Sequence, residues 1–89
     1  MKETRTRIVN RLGLHARAAT QLVNCASRFQ SDIWISLGDR RVNGKSIMGV
    51  LTLAATSGSE VLIQAEGDDE AEAAEAVGQL IRNRFGEEE

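Results

Sequence analysis

Histidine occurs once in this chain, at His15, and an arginine follows two residues later at Arg17. The segment Asn10-Arg11-Leu12-Gly13-Leu14 reads as a loop bending at Gly13, and helical spacing begins at Ala16. His15 therefore stands where a loop becomes a helix. The first backbone N–H groups of a helix have no partner and face any anion placed there. Arg17 is near enough in sequence to add a charge-assisted contact to the same anion. A neutral imidazole nitrogen attacks phosphorus to form a phosphoramidate, whose P–N bond passes the group onward readily. An anion cradle beside a nucleophile is what a phosphoryl carrier requires; the plainer reading of His15 is a cap or a space-filler. No carboxylate lies nearby in sequence to complete a triad, and one histidine with one cysteine cannot build a metal site.

Ser46 is a second candidate. It opens a short helical stretch, Ser46 to Leu53, where a serine reads either as a plain N-cap or, alternatively, as a target for phosphorylation. The local dipole tolerates a phosphate there, so its effect would fall on a partner rather than on the fold. The preceding Gly44-Lys45 invites a phosphate-loop reading, which fails on spacing: Gly38 and Gly44 enclose five residues where that motif has four. Within the short helix Ile47, Met48 and Leu51 cannot all face inward, which leaves an apolar patch for docking. Cys25 falls beside an apolar helical stripe and reads as inert filler. Trp34 lies on the outward side of a strand, packing at the sheet surface rather than stacking a ligand.

The elements that must position these residues follow from periodicity. Thr4 to Val9 reads as an edge-like first strand, and Ala19, Leu22, Ala26 and Phe29 mark one face of a helix over 16–29. Asp32 to Leu37 alternates with Ile33, Ile35 and Leu37 on one side, and Gly38-Asp39 turns the chain into a short strand around Arg41-Val42. Ser59 to Glu66 is a further strand with Val61, Ile63 and Ala65 inward. Asp68 or Asp69 caps a last helix, Asp69 and Glu72 having capping-box spacing, with a stripe of Ala73, Val77, Leu80/Ile81 and Phe85 that Gly86 ends. Glu87-Glu88-Glu89 reads as a frayed acidic tail. The order βαββαβα implies an α+β sandwich with helices on one face of a mainly antiparallel sheet.

Composition narrows the function classes. At 89 residues, 42% apolar and 27% charged, the chain suits a single soluble domain over 1–89. Its apolar runs fall well short of the ~20 residues of a membrane span, and MKETRTRIVN carries no apolar signal core, so a reduced, cytosolic setting is expected. A single cysteine rules out an internal disulfide. The net charge of −2 conceals a split: residues 1–45 carry nine Lys/Arg against three Asp/Glu, and residues 46–89 carry two against ten. Such a basic half meets anions or an acidic partner, or is simply solvated. Nucleic acid is not the expected anion, because Phe29, Trp34 and Phe85 are the only aromatics and no RNA-binding signature is present.

GLHARAA (Gly13 to Ala19) and VNGKSIMGVLTLAA (Val42 to Ala55) together resemble the HPr family, the histidine-containing phosphocarrier proteins of the bacterial phosphotransferase system. The likeness covers essentially the whole chain. It implies an open-faced β-sandwich: a four-stranded antiparallel sheet with three helices on one face. It further implies that His15 is phosphorylated at Nδ1, that Arg17 contacts the phosphate, and that Ser46 is the regulatory serine modified by HPr kinase/phosphorylase. Enzyme I would be the donor and enzyme IIA domains the acceptors in phosphoenolpyruvate-dependent sugar uptake. Thr20, Gln21, Asn24, Ile47, Met48 and Leu51 would form the docking surface. Such a carrier is a covalent intermediate rather than an independent catalyst, takes no cofactor or metal, and works as a monomer without entering the membrane. One departure stands out: the family's proline after the arginine is Ala18 here. That change suits a modest loosening of the helix start, or an NPr-like carrier of a nitrogen-related regulatory branch.

Overall fold

Alternation in the two most apolar strands builds the sheet. Ile33 and Ile35 of β2 (Asp32–Leu37) and Val61, Ile63 and Ala65 of β4 (Glu60–Glu66) are buried, while Trp34, Ser36, Leu62 and Gln64 between them stay partly exposed. In the computed structural model, which describes residues 1–89, these strands pair antiparallel with Ile35 opposite Ile63. β1 (Lys2–Arg7) flanks β4 and β3 (Arg40–Asn43) flanks β2, giving the order β1-β4-β2-β3, every pair antiparallel. The helices α1 (Ala16–Ser27), α2 (Ile47–Leu53) and α3 (Glu70–Arg82) cover the buried face. This is the expected βαββαβα open-faced sandwich, a four-stranded antiparallel sheet with three helices.

Apolar side chains from both layers form one cluster. Leu22 of α1, Val50 and Leu53 of α2, and Val77 and Ile81 of α3 meet the isoleucines and valines of the sheet. Each fully buried aliphatic side chain contributes about 1.5–3 kcal/mol, so the helices are held down by the sheet rather than by their own propensity. On the open face the Arg41 guanidinium lies 4.3 Å from the centre of the Trp34 ring, a cation–π contact on the outward side expected for this tryptophan.

Several boundaries differ from the sequence expectation. The first strand covers Lys2–Arg7 rather than Thr4 to Val9, because its partner β4 starts at Glu60, opposite Arg7. Ile8 still donates to Ser59 O (2.8 Å) and accepts from Gly58 N (2.7 Å), but Val9 turns out to solvent. Helix α1 stops at Ser27, where Arg28 and Phe29 donate to carbonyls three residues back, so Phe29 lies past the helix and packs on the core from there.

The start of α3 departs further. Asp69 occupies the N-cap position but makes no capping bond, and the Asp69–Glu72 box does not form. Its carboxylate instead accepts from Ser31 Oγ, Gln30 N and Ser31 N, the last two at 2.9 Å, which anchors the α1–β2 connection to α3. The Ser31 hydroxyl and the Gln30 amide hold the Asp69 carboxyl below the usual carboxylate range. Glu70 takes over locally, accepting from Gly67 N at 3.2 Å.

At the other end, Phe85 is not on the α3 stripe. It sits in a single 3₁₀ turn, Arg84–Gly86, with Arg84 and Phe85 at φ of +60° and +54°. Left-handed backbone costs a non-glycine residue about 1–2 kcal/mol, and burial of Phe85 returns a comparable amount, about 1.5–3 kcal/mol. The core thus takes the phenylalanine by bending the backbone, and the bend redirects the last three residues.

Candidate functional site

Loop and cap geometry aim the imidazole. Gly13 has φ +68°, and a Cβ there would lie 2.6 Å from Ala55 O, so only glycine brings the loop this close to the end of α2. Leu14 fixes the approach by donating to Ala55 O at 2.9 Å and burying its side chain. Asn10, fully buried, donates from Nδ2 to Gly13 O at 2.8 Å, closing the loop on itself.

His15 is then the N-cap of α1, extended in backbone, with Nδ1 accepting from Arg17 N at 3.3 Å. Its carbonyl accepts from Ala19 N at 2.8 Å, while the N–H groups of Ala16 and Ala18 find no acceptor within the chain. The capping reading of His15 holds, and the bond that caps the helix also orients the ring. The Arg17 guanidinium forms no ion pair in the chain and projects to solvent beside the ring. His15, Arg17, Arg11, Leu12 and the last three residues line an open depression of about 470 Å³.

The sequence offered no sign of one member of this site. Glu87 lies 72 positions after His15, yet its Oε2 meets His15 Nε2. Its Oε1 accepts from Asn10 Nδ2 at 3.1 Å. These bonds, that of the Asn10 amide first and that of the His15 ring second, hold the Glu87 carboxyl below its ordinary range, with the Arg17 charge assisting. The acidic tail is consequently fastened rather than frayed. Glu89 O accepts from Arg11 N at 2.9 Å, and the Glu89 carboxylate pairs with Arg11 Nε at 3.3 Å. Asn10, Arg11 and Leu12 were legible only as loop residues, and nothing local marked them as lining the site.

Ser46 caps α2, its Oγ accepting from Gly49 N at 3.1 Å. Neighbouring Lys45 is committed elsewhere, Nζ donating to Phe29 O at 2.7 Å. Ile47 and Met48 are exposed by 37% and 66%, far above the core residues of the same helix, and Leu51 is half-buried. Thr20 and Asn24 of α1 are exposed and Gln21 is half-buried, on a helix that packs against α2. Cys25 is buried, with Arg28 Nη2 3.5 Å from its sulfur.

A histidine that caps a helix on a four-stranded open-faced sandwich matches the arrangement expected of the HPr class of phosphocarriers. The family model described as the PTS HPr component phosphorylation site matches residues 2–83. A phosphocarrier protein HPr of Neisseria meningitidis serogroup A is 50% identical over 82 residues, 92% of each chain. The crystal structure of HPr-C-His from Thermoanaerobacter tengcongensis superposes with a TM-score of 0.96 at 48% identity, covering 100% of both chains. A structure described as an HPr dimer from the same organism gives 0.79 at 48% identity over 98% of this chain and 100% of that one. The chain belongs to the HPr family of phosphocarrier proteins of the phosphotransferase system. No helix is long and apolar enough to cross a membrane.

Proposed function

We propose that this chain accepts a phosphoryl group from phosphorylated enzyme I on His15 Nδ1 and passes it to enzyme IIA domains in phosphoenolpyruvate-dependent sugar uptake. The observation that carries the reading is the placing of Nδ1 at a helix start, beside the unpartnered Ala16 N–H and the unpaired Arg17 guanidinium. Those groups suit the phosphate oxygens in both the bound and the migrating state. Ile47 and Met48, with Leu51, Thr20, Gln21 and Asn24, supply the face on which partners dock, as a monomer to each. Phosphorylation of Ser46, by a kinase of the HPr kinase/phosphorylase type, places a dianion beside that apolar face and weakens docking. Ala18 leaves the helix start intact, so it lends no support to an NPr-like role, and the KSIMG segment at 45–49 favours the sugar branch.

Incubation with enzyme I and labelled phosphoenolpyruvate tests this directly. His15→Ala is expected to abolish acid-labile, alkali-stable label without unfolding the protein. Label of that kind persisting in the variant would overturn the assignment.

A further inference from the structure

The two nitrogens of the His15 ring face opposite kinds of group. Arg17 N–H points at Nδ1, so Nδ1 is the acceptor. A carboxylate oxygen lies against Nε2, and an ionised carboxylate only accepts, so Nε2 carries the proton. The orientation of Asn10 is equally determined. Its Nδ2 faces Gly13 O and Glu87 Oε1, and the reversed amide would set oxygen against both acceptors. One buried side chain therefore ties together the loop that delivers His15 and the carboxylate that meets it.

We propose that Glu87 is a positioning residue for phosphoryl transfer: held by Asn10, its carboxylate keeps the His15 proton on Nε2, leaves Nδ1 unprotonated with only the long Arg17 N–H bond to give up before its lone pair attacks, and offsets the ring charge that transfer creates. The inference rests on His15 being the phosphoryl acceptor. In the step itself the Nδ1 lone pair forms the N–P bond while the bond from phosphorus to the leaving atom of the phosphorylated donor protein breaks, its electron pair staying with the donor. No proton moves. The ring keeps its Nε2 proton and becomes a phosphoimidazolium, its positive charge facing the Glu87 carboxylate. Transfer onward reverses these changes, with the Nδ1–P electrons returning to the ring. A carboxylate behind an imidazole is a common means of fixing its tautomer. Here it is supplied from the far end of the chain and kept in place by the Arg11–Glu89 contacts.

Glu87→Ala and Glu87→Gln separate this role from simple tail anchoring. In wild-type protein held at a pH where the ring is neutral, ¹⁵N NMR of His15 is expected to show one protonated and one unprotonated nitrogen. Glu87→Ala should bring the two resonances toward each other as the tautomers mix, and should slow labelling by phosphorylated enzyme I about tenfold. Glu87→Gln, whose single side-chain oxygen can accept from Nε2 only by turning its NH2 toward Asn10 Nδ2, should restore the tautomer in part and recover part of the rate. Unchanged ring resonances in Glu87→Ala would overturn the proposal, as would an unchanged rate. The NMR measurement needs no phosphoryl donor. Absence of label in the wild type would therefore sink the acceptor reading, while the ring spectra still decide the role of Glu87.

Discussion

The starts of α1 and α2 are both capped by a side chain that can carry phosphate, yet they are built differently. His15 caps the 12-residue α1 with the unprotonated Nδ1 through a long 3.3 Å bond, beside an unpaired arginine and two N–H groups without acceptors. Ser46 caps the 7-residue α2 with its only side-chain oxygen, its neighbouring lysine is bound to Phe29 O, and its other neighbours are the exposed Ile47 and Met48. The first arrangement suits the proposed acceptance of a phosphate and its onward passage. The second has no cation of its own to answer a phosphate, so charge placed there is presented to whatever docks on the adjacent apolar face. In the proposed function transfer and regulation use the same local device, a helix cap, and are separated by what surrounds it.

The sharpest way to break this contrast is at Arg17. Arg17→Ala removes the one free cation beside Nδ1 and should slow phosphoryl transfer on the bound complex by roughly 10²-fold, the usual cost of losing a charge-stabilising group. Single-turnover kinetics with phosphorylated enzyme I read this directly, and a loss confined to binding would assign Arg17 to docking. At the second cap, Ser46→Asp should lower the rate of His15 labelling about tenfold, equivalent to about 1.4 kcal/mol of weakened docking. Aspartate is itself a good N-cap, so the melting temperature should hold. Ser46→Ala reverses the pattern: labelling stays at the wild-type rate, while loss of the Gly49 bond costs about 1 kcal/mol. In a domain of this size that lowers Tm by about 4–8 °C. Equal labelling rates for the aspartate and wild-type proteins would leave Ser46 as a cap alone.

The smallest effect is expected at Ala18. Its N–H has no acceptor in the chain and it lies in the first turn of α1, where proline fits. Ala18→Pro should stabilise the protein by ~0.4–1 kcal/mol through the unfolded chain, with the lifetime of phospho-His15 unchanged. A shortened lifetime would show that the Ala18 N–H binds the phosphate, and would give the first cap one more donor than the second.

The parts of this molecule legible in its sequence are those set within a few residues. Alternation in Asp32–Leu37 placed β2 with the bounds observed, and the loop ending at Gly13-Leu14 placed His15 at the start of α1 with Arg17 beside it. Ser46 stood at a helix cap for the same reason, because capping and periodicity are satisfied by neighbours along the chain. Asp69 shows where that logic stops. Its spacing to Glu72 suits a capping box, but the fold brings three donors of Gln30 and Ser31 to its carboxylate, and three bonds prevail over one. Phe85 shows it again, leaving the helical stripe because the core accepts it only from a left-handed turn.

That turn sends Glu87 back to His15, a contact across 72 positions in which no local pattern takes part. The sequence alone determined which residue could be the nucleophile and which cation stood by it. Which nitrogen holds the proton, and what keeps it there, was decided by tertiary structure. The reason is physical: a helix cap closes within one turn of backbone, whereas the partner of a ring nitrogen is whatever polar group the completed core leaves at the same surface.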